Sequence, residues 1–321
     1  MPVAFKENLN FATAVGKIRA LSARLFKASD WERLLTAKST RDLIRLLIET
    51  PYGRLISDGD NFDTIQRKLV SHLLSEMDEI EKISPEKEFL YYFRYKIDLG
   101  NIKRVLYGIL SEKEVSLYEG GLIPTDILER IKKGRDVELL RALPYPWDIL
   151  RDTRDEPVFW TYHLEQAYFN GLIELSRIKE YYLLESLLVT QIDLENLKIA
   201  LRIKTVNYPE RYRAFFYDGG TVEPEEYKRL LDISLESWRD SEIVERLGMS
   251  DYLKEPIVLE KKIEERLIDL LSVSKYTAFG YEPLLDYFFR KEIEHKNILF
   301  IFSGLEYGLS TEILRSGIRG L

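Results

Sequence analysis

An all-α fold is what this sequence predicts, and three observations carry the prediction. Apolar residues recur at three- and four-residue steps along most of the 321 residues, whereas alternating strand patterns are scarce. Capping residues precede the apolar runs, and Gly or Pro falls at the breaks. One helix-like segment also returns at intervals of 95 and 101 residues.

The elements follow in order. Phe11 to Phe26 has helical spacing, with Lys17, Arg19 and Arg24 between the apolar positions. Ser29 with Glu32 predicts a capping box, and Ser39 with Asp42 predicts another ten residues on. Ser84-Pro85-Glu86 predicts a further start, with proline at the first helical position and an acid in the first turn. Breaks are expected at Pro51-Tyr52-Gly53, Gly120-Gly121, Pro144-Tyr145-Pro146, Gly219-Gly220 and Gly280-Tyr281-Glu282-Pro283.

The repeat organises these pieces. Ile97-Asp98-Leu99-Gly100-Asn101-Ile102-Lys103 is matched by Ile192-Asp193-Leu194-Glu195-Asn196-Leu197-Lys198. A weaker copy is Ile293-Glu294-His295-Lys296-Asn297-Ile298-Leu299, which replaces the lysine by Leu299 and a leucine by His295. Tyr118-Glu119-Gly120-Gly121 is echoed by Tyr217-Asp218-Gly219-Gly220, each followed by a proline, Pro124 or Pro224. A short helix recurs around Trp31–Leu35, Ile127–Ile131 and Tyr227–Leu231. Three modules are therefore expected, 1–124, 125–224 and 225–321, rather than two domains.

Leu99, Ile102, Leu106 and Ile109 make one apolar stripe on the repeated helix. Ile97, Asn101 and Val105 lie roughly 160–200° round from it. A helix apolar on opposite sides is sandwiched between neighbours, so Asn101 and Asn196 are expected on a buried face with their amides satisfied by backbone groups. The adjoining acid and lysine are expected to be exposed.

Composition narrows the function. The 54 acidic and 47 basic side chains give a charge of −7, and the pI is about 5.4, against a nucleic-acid partner. The absence of cysteine removes thiolate metal sites, iron–sulfur clusters and thiol nucleophiles. Only His72, His163 and His295 remain, so a histidine-built metal site would need all three. Met1-Pro2-Val3-Ala4-Phe5-Lys6-Glu7 lacks a signal peptide's apolar stretch, and no window has the length of a membrane span; Ile298–Phe302 is the densest apolar run.

The tempting chemistry has bland readings. Gly16-Lys17 lacks the other residues of a phosphate loop. The Gly-Gly pairs read as turns adopting positive φ. Asp78-Glu79 and Glu264-Glu265 read as solvated helix faces, and His163 with Tyr162 and Glu165 as packing or surface. Arg130-Ile131-Lys132-Lys133-Gly134-Arg135 reads as the basic last turn of a helix ending at Gly134. No catalytic, cofactor-binding or metal-ligating residue is assigned.

The three Asn-bearing helices, about 100 residues apart, resemble those of the C subunit of archaeal-type and V-type rotary ATPases, counterpart of the d subunit of the eukaryotic vacuolar pump. The opening helix Phe11–Leu21, Glu49-Thr50-Pro51-Tyr52-Gly53, Gly280-Tyr281-Glu282-Pro283-Leu284 and Ser303-Gly304-Leu305 with Gly308-Leu309-Ser310 are similar to segments of that family. Leu299 and Phe300 stand where its members tend to place a basic residue. The resemblance implies a non-enzymatic funnel of three helical lobes about a pseudo-threefold axis, without cofactor. It implies the central stalk and the membrane proteolipid ring as partners, and a peripheral place on the cytoplasmic face. Such a protein turns with the rotor in ion transport coupled to ATP chemistry. A helical-repeat adaptor for another partner, or an enzyme with a carboxylate site between lobes, are the alternatives.

Overall fold

The segments with helical periodicity are helices in the computed structural model, which describes residues 7–152, 154–206 and 215–320. The reading of the first six residues, and Leu321, lie outside the described residues. The first helices are α1 (Ala12–Ser22), α2 (Ala28–Leu34), α3 (Thr40–Ile48), α4 (Phe62–Glu81), α5 (Tyr91–Ser111) and α6 (Thr125–Gly134). They are followed by α7 (Trp160–Ile178), α8 (Tyr182–Val206), α9 (Pro224–Asp232), α10 (Glu242–Leu247), α11 (Pro256–Leu271), α12 (Glu282–Glu306) and α13 (Thr311–Gly317). Short 3₁₀ turns join several of them, and no strand occurs among the described residues.

Helix starts test the capping readings. Ser39 caps α3, its Oγ accepting from the Asp42 N–H at 3.1 Å. The box expected at Ser29 sits two residues earlier: Lys27 is the N-cap, and its N–H donates to Asp30 Oδ2 at 2.8 Å. Ser84-Pro85-Glu86 starts no helix. The Ser84 hydroxyl donates to the Glu86 carbonyl and bends the chain, so α5 begins only after the 3₁₀ turn Glu88–Leu90. The basic run does close α6, with Arg135 left-handed at φ 49° beyond Gly134.

The chain divides into two units, Lys87–Ile243 and Met1–Glu86 with Val244–Leu321. In the first, α5 packs on α6 and α7, α7 on α8, and α8 on α9. In the second, α12 lies against α1, α3, α4, α11 and α13. Its core joins Trp31, Leu43, Leu47, Ile65 and Leu69 from the opening of the chain to Ile298, Ile301, Phe302, Leu314 and Ile318 from its close. Burying each such side chain contributes roughly 1.5–3 kcal/mol, so the two ends are held by a shared apolar core. This unit is discontinuous in sequence, whereas the expected modules run consecutively.

The repeated helices α5, α8 and α12 are enclosed on more than one side. Ile102, Leu106, Asn101 and Val105 are buried on α5, and Ile192, Leu194, Asn196, Leu197 and Ala200 on α8. Polar groups on those faces must find partners within the protein.

Candidate functional site

The repeated asparagines are closed into reciprocal hydrogen bonds. Asn101 Nδ2 donates to the Tyr118 carbonyl at 2.8 Å, and the Tyr118 N–H returns a bond to Oδ1 at 2.9 Å. Asn196 does the same with Tyr217, at 2.8 and 2.7 Å. On α12, Asn297 holds Arg319 at 3.0 and 3.1 Å. Each amide thereby replaces a peptide partner for the return loop, in a place where an unpaired group would cost roughly 1–3 kcal/mol. The expectation of backbone partners for Asn101 and Asn196 is met.

The neighbouring acids correct the sequence reading, because they are buried rather than exposed. Asp98 accepts the Leu122 and Ile123 N–H groups at 3.0 Å each. Asp193 accepts from Thr221 N at 3.0 Å, Thr221 Oγ1 at 2.6 Å and Val222 N at 3.0 Å. Burial raises the Asp98 carboxyl to about 6, although the two N–H groups and the Arg94 guanidinium oppose the rise. The Gly-Gly pairs follow from this geometry. Gly120 and Gly219 have φ of 91° and 100°. A Cβ on Gly121 or Gly220 would sit 2.0 or 2.1 Å from the aspartate Oδ1, so only glycine lets the carboxylate approach.

In the third copy Glu294 stands in place of aspartate and captures a distant segment. Its Oε2 accepts the Phe26 N–H at 2.5 Å, and its Oε1 accepts from the Tyr52 hydroxyl at 2.5 Å and Lys291 Nζ at 3.1 Å. Phe26 precedes α2 as Ile123 precedes α6 and Val222 precedes α9. The short-helix repeat is thus completed across the two ends of the chain.

A family described as the ATP synthase (C/AC39) subunit matches residues 14–317. The chain belongs to that family. The C subunit of the A-type ATP synthase of Halobacterium salinarum is 25% identical over 96% of this chain and 97% of its own length. The protein of that name from Methanocaldococcus jannaschii is 24% identical over 95% of this chain and 85% of its own, and that from Methanosarcina barkeri is 24% identical over 95% and 92%.

The motifs of this C/AC39 chain now acquire physical reasons. Thr50 caps the Pro51–Arg54 turn, presenting Tyr52 to Glu294, and a Cβ on Gly53 would fall 1.9 Å from the Ile48 carbonyl oxygen. Gly280 leaves room for the buried Glu282 carboxylate, which burial raises to about 7. Phe300 lies under the Arg319 guanidinium at 5.5 Å.

The remaining candidates disperse. His163 pairs with Asp155 at 2.5 Å, the Tyr162 hydroxyl donates to the Phe216 carbonyl, and Glu165 takes Lys103 and the Tyr217 hydroxyl. His72 and His295 lie 6.2 Å apart between ring centroids in one unit, whereas His163 belongs to the other. Glu264 is not a solvated acid: it pairs with Lys296 at 2.8 Å and with Arg319. Sequence reasoning missed Gln166, whose amide braces Asp218 in both directions, and Arg94, which donates to the Gly120 carbonyl at 2.8 Å. Neither lies in the repeated motif. Burial of a polar side chain was their one signal, and burial requires the fold.

Proposed function

We propose that this chain is a non-catalytic rotor component of an A/V-type ATPase, connecting the central stalk to the membrane proteolipid ring and passing torque between ATP chemistry and ion translocation. The family match over residues 14–317 carries this reading. The named relatives supply the complex, since each is the C subunit of an A-type ATP synthase. No helix among the described residues is long and apolar enough to cross a membrane, which suits a peripheral protein on the cytoplasmic face.

The repeated polar groups support a mechanical role. Asn101, Asn196, Asn297, Asp98 and Asp193 are all engaged in holding backbone, which stiffens a loop against a helix. A torque-bearing part needs such stiffness more than perturbed reactive groups. The reading also includes three lobes around a pseudo-threefold axis, with divisions near residues 124 and 224, forming a funnel that receives the stalk; the recurrence of one latched helix in each of the three supports the repeat.

A pull-down with the purified stalk heterodimer and the detergent-solubilised ring tests the reading. One complex containing all three components is expected. Binding to neither partner would reject it. The isolated chain should not hydrolyse Mg-ATP, and a phosphate-release assay checks this.

A further inference from the structure

The discontinuous unit contains a cleft of about 760 Å³ lined by residues of α1's C-terminal end, α4, α12 and the Pro51–Arg54 turn. That volume is within the range of small-molecule sites, roughly 300–1,000 Å³. Arg24, Arg54 and Lys291 line it, together with His72, in a chain whose overall charge is −7. Arg24 and Arg54 are exposed, and neither forms an ion pair among the described residues. An anion in this concavity would be attracted by both guanidiniums.

The inner end of the cleft is built. Lys291 is 6% exposed; its ammonium lies 3.1 Å from Glu294 Oε1 and 4.5 Å from the centre of the Tyr52 ring. One carboxylate contact uses one of its three N–H donors. His72 contributes a buried Nδ1 with no protein hydrogen-bond partner. Glu76 also lines the cleft, but its Oε2 accepts the Tyr287 hydroxyl at 2.8 Å and its Oε1 lies 3.6 Å from His72 Nε2. The acid is therefore turned to its neighbours, while the arginine and lysine donors have no acceptor capacity of their own.

We propose that this cleft binds a phosphate-bearing anion, with the oxyanion held by Arg24, Arg54 and Lys291 and any organic portion against Leu21, Ile48 and Leu55. Arginine's planar fork matches phosphate oxygens in pairs, and the lysine adds a point charge beneath. The same chemistry occurs in soluble phosphate esters and in phospholipid headgroups, and the experiment separates these sources.

The full chain is titrated calorimetrically with pyrophosphate, with glycerol phosphate, and with phosphatidylcholine vesicles with and without phosphatidylglycerol. Saturable binding of at least one phosphate probe is expected, weakened about tenfold or more by each of Arg24→Gln and Arg54→Gln. Arg130→Gln, the same charge change on exposed α6, should bind like the parent. Because Arg24 and Arg54 are exposed, their variants should melt like the parent without ligand. Response to the soluble probes alone supports a soluble ester, and response confined to phosphatidylglycerol vesicles supports a headgroup. Absence of binding to every probe, or equal weakening by Arg130→Gln, would overturn the assignment.

Discussion

The latches on α5 and α8 hold their own downstream loops, whereas the acid on α12 holds a segment from the far end of the chain. Asn101 and Tyr118 are 17 residues apart, and Asp193 and Thr221 are 28 apart. Glu294 and Phe26 are 268 apart. Closing the longer loop costs about 2 kcal/mol more in chain entropy by the logarithmic rule. The same carboxylate chemistry thus closes a local loop in two places and joins the ends of the chain in the third. The third acid is the longer glutamate, and it recruits Lys291 and Tyr52 as well as a backbone N–H.

Glu294→Leu should have the largest effect. It leaves the Lys291 ammonium buried without its carboxylate and removes the partner of the Phe26 N–H, a loss of about 3–5 kcal/mol. Urea unfolding gives the magnitude, and hydrogen exchange gives the location. Protection should fall first in the discontinuous unit, while Lys87–Ile243 keeps its slow amides. Simultaneous loss in both units would end the distinction between local and end-joining latches.

Asp193→Leu should cost somewhat less, about 2–3 kcal/mol, because it strands the Thr221 and Val222 donors within one continuous unit. Here the early exchange should be confined to the α8–α9 connection. Gly220→Ala tests the same contact from the other side. Its Cβ would overlap Asp193 Oδ1, and a fall of about 1–3 kcal/mol in denaturant stability is expected. Asn196→Leu should lower the melting temperature by the equivalent of about 1–3 kcal/mol. Binding to stalk and ring should weaken only in proportion to lost folding. A variant that melts like the parent yet no longer binds would make Asn196 an interface residue.

The smallest effect separates the third copy by pH. His295 stands where the other helices carry Leu99 and Leu194. Burial, then the charge of Lys291, holds it well below its ordinary 6.5. His72 is lowered by burial and Lys291 while Glu76 pulls the other way, and Glu294 and Glu79 also act to raise it. The folded chain keeps these rings neutral, whereas the unfolded chain takes up protons as pH falls below 6.5. Their contribution is therefore complete above 6.5 and is lost toward the lowered folded values. Asp98 and Glu282, raised by burial to about 6 and about 7, act in the opposite sense, losing stability as pH rises through those values. The difference between His295→Leu and the parent isolates one ring. The variant should gain relative stability from about pH 7 to about pH 5, measured by thermal melts at each pH. A difference independent of pH would show that His295 does not set this slope.

Helical class, the principal breaks and the repeated asparagine were determined by the sequence itself. Periodicity, glycine and proline act over a few residues, and a polar residue on an apolar face must be satisfied wherever the chain goes. The glycines of the two Gly-Gly turns were visible for the same local reason, although the aspartate contact that requires the second of each pair was not. Tertiary structure alone decided the burial of Asp98 and Asp193, which in sequence look like the charges of any solvated helix. It alone brought Glu294 to Phe26 and Tyr52, and gathered Arg24, Arg54, His72 and Lys291 around one cleft. Those encounters depend on which distant apolar faces share a core. Many chain paths satisfy the same local rules, and packing of the α12 face against the opening helices selects among them.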